Sequence, residues 1–249
     1  MLVSIITATY NSSGHILETY NCIVGQSHSD WEWLVTDDCS TDNTVDILND
    51  ISQHDNRVKV YRNSVNSGAA VSRNNSLTSA NGEFIAFIDS DDTWVSSKLE
   101  LQVGFMEKQN VDFCFTAYQL MDEFGVPLNT FVDSKQVGAF TYEDMLRKKA
   151  TLGCSTVLLR SASFIDLQMP LIRTGQDYAT WLKLLKTGKD AYVFPKALTN
   201  YRIMPGSISR NKVKKAMRQW QIYRHIEKLT LSKSLICFSF YAWRAVFRK

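Results

Sequence analysis

The sequence predicts an α/β fold: a Rossmann-type, mostly parallel sheet flanked by helices, followed by a C-terminal helical extension. Three observations lead there. Apolar strand signals at residues 3–7, 31–36, 58–62 and 84–88 alternate with helical stretches near 16–25, 44–52 and 69–79. Short strand–helix–strand connections of this kind give right-handed crossovers in a doubly wound sheet. Residues 84–88 (Phe-Ile-Ala-Phe-Ile) are apolar throughout, as a strand buried on both faces must be. Finally, the informative polar residues fall at the carboxyl ends of the strands, where open α/β sheets bind their ligands. They are Thr9-Tyr10-Asn11, Asp37-Asp38 and Asp89-Ser90-Asp91.

The second half of the chain is less regular. A helix over 98–109 leads to a strand over 111–118, and a Gly-Val-Pro turn near Gly125 precedes a short helix at 142–148. An apolar segment at 156–159, a helix over 177–186 and two strands near 191–194 and 200–203 follow. A basic helix starts near Lys212. This order divides the chain into a domain over residues 1–210 and a basic, aromatic-rich helical tail over 211–249.

Composition removes several function classes. A hydrophobic content of 45 % and a charged content of 21 % are those of a globular chain with a sizeable core. Five cysteines, widely spaced and without a C-x-x-C pair, support neither a disulfide framework nor a zinc site, which favours a reducing cytoplasm. The first residues lack the charged start and length of a signal peptide. Neither G-x-G-x-x-G nor G-x-x-x-x-G-K-[ST] occurs, so no dinucleotide fingerprint and no P-loop is present.

Several residues could carry chemistry, each beside a plainer reading. Asp89, Asp91 and Asp92 would repel one another without a cation or strong donors among them. Their oxygens suit Mg²⁺ or Mn²⁺, although Asp and Ser there also suit a turn that caps the next helix. Asp38 can accept from the imide N–H of a uracil base on which Tyr10 stacks, or belong to a cap and turn that includes Asp42. The small residues after Gly68 let the start of a helix, or Arg73, approach a diphosphate; Arg73 can equally be a solvated surface residue. Asp177 at a helix start, with Trp181 one turn later, suits a sugar ring and proton abstraction, or a cap over a core tryptophan.

These segments in their order (Ser4 to Asn11, Asp37 to Asp42, Gly68 to Asn74, Asp89 to Asp92, Gln176-Asp177 with Trp181, and Tyr201-Arg202 through Ser209) resemble glycosyltransferase family 2, the inverting nucleotide-sugar enzymes with a GT-A fold. The likeness covers about residues 2–210 and is closest to small bacterial enzymes of O-antigen, capsule or lipopolysaccharide synthesis. It implies a UDP-sugar donor, a lipid-linked or growing glycan acceptor, and Mn²⁺ or Mg²⁺ as cofactor. Thr9, Tyr10, Asp38, Arg73, Asp89 and Ser90 would bind the nucleotide sugar, and Asp91 would hold the metal. Asp177 would be the general base and Trp181 an acceptor contact. The chain departs from the family at Gln176, where many relatives have Glu, and at Met204, where some have a metal-binding His. A nucleotidyltransferase shares this layout but needs a Gly-rich basic loop after the first strand, where Thr-Tyr-Asn-Ser-Ser-Gly stands here. A non-catalytic sugar- or membrane-binding module is the other alternative.

The net charge of +3 hides an asymmetry. From Arg210 to the end there are 11 Lys/Arg and one acid, a local net of +10, so the remainder carries −7. Cationic and aromatic residues together fit a helix lying peripherally on the anionic inner face of a cell membrane, and equally a helical pair packed on the domain. No nucleic-acid motif accompanies the charges, so nucleic acid is not an expected partner.

Overall fold

The computed structural model describes residues 1–204 and 212–247. Its first half follows the predicted alternation: β1 (Val3–Thr9), α1 (Ile16–Val24), β2 (Trp31–Asp37), α2 (Thr44–His54), β3 (Val58–Arg62), α3 (Ala69–Leu77) and β4 (Phe84–Phe87). These strands are parallel in the order β3-β2-β1-β4. Alternate residues of one strand enter separate cores, as the two-residue period of a strand requires. Phe84, Ala86 and Ile88 join α1, α2 and the later helix α4 (Lys98–Gln109) on one face. Ile85 and Phe87 join α6 (Gln176–Leu185) on the other.

The second half mixes directions. β9 (Val157–Arg160) lies antiparallel between β4 and β6 (Phe113–Met121). β10 (Ala191–Arg202) runs parallel to β6 and antiparallel to the short β5 (Thr93–Trp94) at the edge. β7 (Pro127–Val132) and β8 (Ala139–Phe140) pair with β6 and β10, and α5 (Tyr142–Leu146) follows. The two strands expected near 191–194 and 200–203 are one. Its register slips between Phe194 and Ala197 and again before Thr199, around Pro195, whose missing N–H a bulge tolerates. The five cysteines are all free.

α7 (Lys212–Gln221), a π turn (Ile222–Ile226) and α8 (Leu231–Phe247) pack on the domain. Ile222, Tyr223, Leu229 and Cys237 belong to the same apolar cluster as Phe115 and Trp181. Tyr223 Oη donates to the Leu146 carbonyl at 2.5 Å, and Glu227 pairs with Lys186 at 2.6 Å. Among the described residues no helix is long and apolar enough to cross a membrane. The expected junction at residue 210 lies outside the described residues.

One charged side chain is enclosed in this frame. Lys98 has no exposed surface; its Nζ donates to Gln102 Oε1 at 2.6 Å and lies 4.1 Å from the Trp94 ring centre. Burial pushes its pKa down to about 7. The unfolded chain therefore binds more protons than the folded one between about pH 7 and pH 10, so this group makes stability rise with pH across that window. Replacing Lys98 with Met removes this slope. Denaturant unfolding at several pH values should show the variant's stability relative to the parent falling from pH 7 to about pH 9.5. A difference independent of pH would show that Lys98 stays protonated in the fold.

Candidate active site

The carboxyl edge of β1, β2 and β4 gathers most of the predicted residues, because β1 pairs with both neighbours and ends at Thr9 opposite Asp37. Tyr10 stands at this edge half exposed, and Thr9 is buried with its Oγ1 lacking a hydrogen-bond partner among the described residues. The Ser90 hydroxyl lies 2.8 Å from that of Ser12, so it ties the β4 end to the β1 loop.

Asp38 is buried, and its carboxylate already has three donors at 2.7 Å: Asn63 Nδ2, Ser67 N and Gly68 N. It shapes the loop entering α3, where Gly68 takes φ +91°. Among the described residues Oδ2 accepts only from Gly68 N, which leaves it one further acceptor direction. Arg73 is not the solvated residue that its place in α3 permitted. It is buried, and Nη2 donates to Asp89 Oδ1 at 2.5 Å. Burial opposes its charge, yet Cys154, Asp89 and Asp177 around it raise its pKa above the usual value. Its Nε has no hydrogen-bond partner among the described residues.

The three aspartates after β4 have separate environments. Asp89 is the partner of Arg73. Asp92 is fully buried, accepting from Ser155 Oγ at 2.5 Å and from Arg202 N at 2.9 Å. Burial and the neighbouring Asp91 and Asp89 raise its pKa well above the carboxylate range. It is therefore not the cap of α4, whose N-cap position is Ser97. Asp91 makes no ion pair among the described residues; burial and Asp89 push its pKa up to about 6.

That environment is the test of a divalent ion. Arg73 is taken by Asp89, while Arg202 donates to Glu18 Oε2 and to the Asp91 carbonyl rather than its carboxylate. A half-buried carboxylate without a cation fits a hard metal. No group of three or more His, Cys, Asp or Glu that could hold an ion exists among the described residues. The described residues thus offer one open carboxylate and no complete set of protein ligands.

Asp177 stands in the first turn of α6, after Gly175 at φ +76°. With Asp89 it lines a cavity of about 500 Å³ that also includes Cys154, Tyr118 and Tyr201. Trp181 does not reach this cavity, which corrects its expected role as an acceptor platform. It is fully buried, edge-on to Phe87 and Phe113 with ring centres 5.6 and 5.7 Å away, and Nε1 donates to the Leu152 carbonyl. Sequence reasoning also missed Ser155, which donates to Asp92, accepts from Asp89 N at 3.0 Å, and offers its carbonyl to Trp94 Nε1 and Thr199 Oγ1. No pattern around it marks this role. Arg202 lay within a noted motif, but its contacts depend on residues far along the chain. The rest of the segment through Ser209, after Met204, lies outside the described residues.

A sheet with carboxylates at its carboxyl edge and a cavity between them is the architecture of a nucleotide-sugar transferase. The chain belongs to glycosyl transferase family 2, whose model matches residues 4–164, and it has the GT-A fold of its structural neighbours. It is 45 % identical over 245 residues to TuaG of Bacillus subtilis, named for teichuronic acid biosynthesis, covering 98 % of this chain and 96 % of that one. It is 36 % identical over 241 residues to WfaP of Escherichia coli, a UDP-Glc:alpha-D-GlcNAc-diphosphoundecaprenol beta-1,3-glucosyltransferase, covering 97 % and 92 %. The structure of S. aureus TarS with UDP-GlcNAc superposes with a TM-score of 0.76 at 24 % identity, over 99 % of this chain and 73 % of that one. A Pyrobaculum calidifontis mannosyltransferase holding GDP-Man and Mn²⁺ gives 0.74 at 18 %, over 98 % and 70 %.

Trp181→Phe should lower stability by about 1–3 kcal/mol through lost core volume and a lost hydrogen bond. The KM for acceptor should not change, as steady-state kinetics beside urea unfolding would show. A raised acceptor KM without loss of stability would restore the platform role.

Proposed function

We propose that this enzyme transfers a hexose, with inversion, from a UDP-sugar to a lipid-linked or growing glycan in bacterial surface polysaccharide synthesis. The observation that carries the reading is the shared cavity of Asp89 and Asp177 at the carboxyl edge of the sheet. The names of TuaG and WfaP support the polysaccharide context, and that of WfaP supports a UDP-sugar donor and a polyprenyl-diphosphate acceptor.

In this reading Tyr10 stacks on the base and Asp38 uses its remaining acceptor direction for the base N–H. Thr9, Ser90 and Asp89 line the ribose and phosphates, with Arg73 holding Asp89 in place. Asp91 would hold Mn²⁺ or Mg²⁺, which when bound offsets the charge gathering on the departing diphosphate. Asp177 takes the proton of the acceptor hydroxyl. The hydroxyl oxygen bonds to the anomeric carbon as that carbon's bond to the diphosphate oxygen breaks on the opposite side. UDP leaves, and an α-linked donor yields a β linkage.

A peripheral site at the cytoplasmic face of the membrane follows from the acceptor and from α8. This helix exposes Leu235, Ile236, Phe240, Trp243 and Phe247. Such an apolar face near cationic residues suits an anionic bilayer surface.

Asp177→Asn should retain UDP binding while transfer falls by about 10²–10⁴-fold. Isothermal titration and a UDP-release assay over several UDP-sugars with Mn²⁺ would test this, and near-normal turnover would remove Asp177 from the role. Separately, Phe240→Glu combined with Trp243→Glu should abolish co-sedimentation with phosphatidylglycerol vesicles without altering the far-ultraviolet circular dichroism. Unchanged sedimentation would place the membrane contact elsewhere.

A further inference from the structure

The cavity containing Asp177 continues beneath α7 and α8. A second chamber of about 400 Å³ shares Lys148, Lys215, Arg218 and Gln219 with it and ends at Tyr241 and Arg244. The charge along this path is divided. Asp89 and Asp177 lie at the sheet end; four cations and no carboxylate line the far chamber. Lys215, Arg218 and Gln219 of α7 and Ile222 at the start of the π turn follow an i, i+3, i+4, i+7 spacing, and all four line the first cavity.

Three of these cations, Lys215, Arg218 and Arg244, carry the argument. Among the described residues neither Lys215, Arg218 nor Arg244 forms an ion pair with a carboxylate. Partial burial and the adjacent Arg218 both disfavour the charge on Lys215, so the pair is held together at a cost. Arg244 Nε is buried without a hydrogen-bond partner among the described residues. Arg218 also packs on the helix start that carries the base: a methyl group at Gly175 would come within 2.9 Å of its Cδ and 3.0 Å of Ile222 Cδ1. Gly175 thus permits the cationic face of α7 to sit against the first turn of α6.

We propose that this chamber is the subsite for the diphosphate of the acceptor, gripped by Lys215, Arg218 and Arg244, with the acceptor sugar reaching from it to Asp177. The inference rests on the acceptor class proposed above and assigns that class to specific residues. A diphosphate carries several negative charges close together, which uncompensated, partly buried cations bind through strong charge-assisted hydrogen bonds. It is distinct from the donor diphosphate, which belongs with Asp89 and Asp91 at the sheet edge. The polyprenyl chain would then leave along α8, which bears Arg244 at the chamber and Phe240 and Trp243 exposed outside it.

The experiment measures binding to the full chain without requiring turnover. Farnesyl diphosphate, inorganic diphosphate and farnesol are titrated separately, and UDP is titrated with Mn²⁺. Lys215→Met and Arg218→Gln, which remove the charge and keep an unbranched stem, are compared with the parent, and thermal melts establish that each is folded. Each substitution should weaken farnesyl diphosphate by about 10–100-fold, inorganic diphosphate should compete, and UDP affinity should stay unchanged. Equal affinity of parent and variants for farnesyl diphosphate would overturn the assignment, as would farnesol binding as tightly. An equal loss of UDP affinity would give the cations to the donor instead. A parent that binds both UDP and farnesyl diphosphate but transfers no sugar would count against the proposed reaction and leave this subsite standing.

Discussion

The buried carboxylate of Asp92 is the constraint on which the site depends. A carboxylate without solvent must find donors within the protein, and those available to Asp92 come from distant parts of the chain. Ser155 brings the segment preceding β9, and Arg202 N brings the end of β10. Ser155 in turn receives Asp89 N, and the Arg202 side chain spans Asp91, Glu123 and Glu18. One loop after β4 is thereby fixed to four other regions. The positions of Asp89 and Asp91 follow from this network and do not rest on local turn geometry.

Three neighbouring aspartates consequently have three different states. Asp89 is neutralised by a buried arginine, Asp92 is enclosed among donors, and Asp91 is left half-buried without a cation. Low solvent access makes each difference count, since charge is screened far less there than in water. A cluster that reads as uniform acidity along the chain thus becomes one carboxylate without an ion partner among the described residues and two held by protein donors.

The described C-terminal helices are bound into the same structure. Tyr223, Leu229 and Cys237 share a core with β6 and α6, while the opposite side of α8 shows large apolar side chains to solvent. A packed inner face and an exposed apolar outer face are compatible in one amphipathic helix. The packed-pair reading of the tail holds for its inner side. Through Lys215 and Arg218 the region also reaches the cavity that Asp177 lines.

Much of this was legible in the chain. Continuous apolar runs identify strands covered on both faces, and their alternation with helices leads to a sheet whose carboxyl edge collects Thr9, Tyr10, Asp38 and Asp89. Those signals are local, each spanning a few residues, so they survive without knowledge of partners. Trp181 shows where that reasoning fails. Spacing puts it on the face of α6 that carries Asp177, but that face is open at the first turn and lies against Phe87 and Phe113 one turn later. Periodicity gives the direction of a side chain and not what it meets. The sequence by itself determined the sheet, its order of helices and the edge where the chemistry lies. Only the tertiary structure decided which aspartate lacks an ion partner among the described residues, which arginine is buried beside Asp89, that Ser155 and Arg202 hold the loop after β4, and that Arg218 lines the cavity of Asp177. Those outcomes are set by contacts between residues tens to more than a hundred positions apart, which no local pattern encodes.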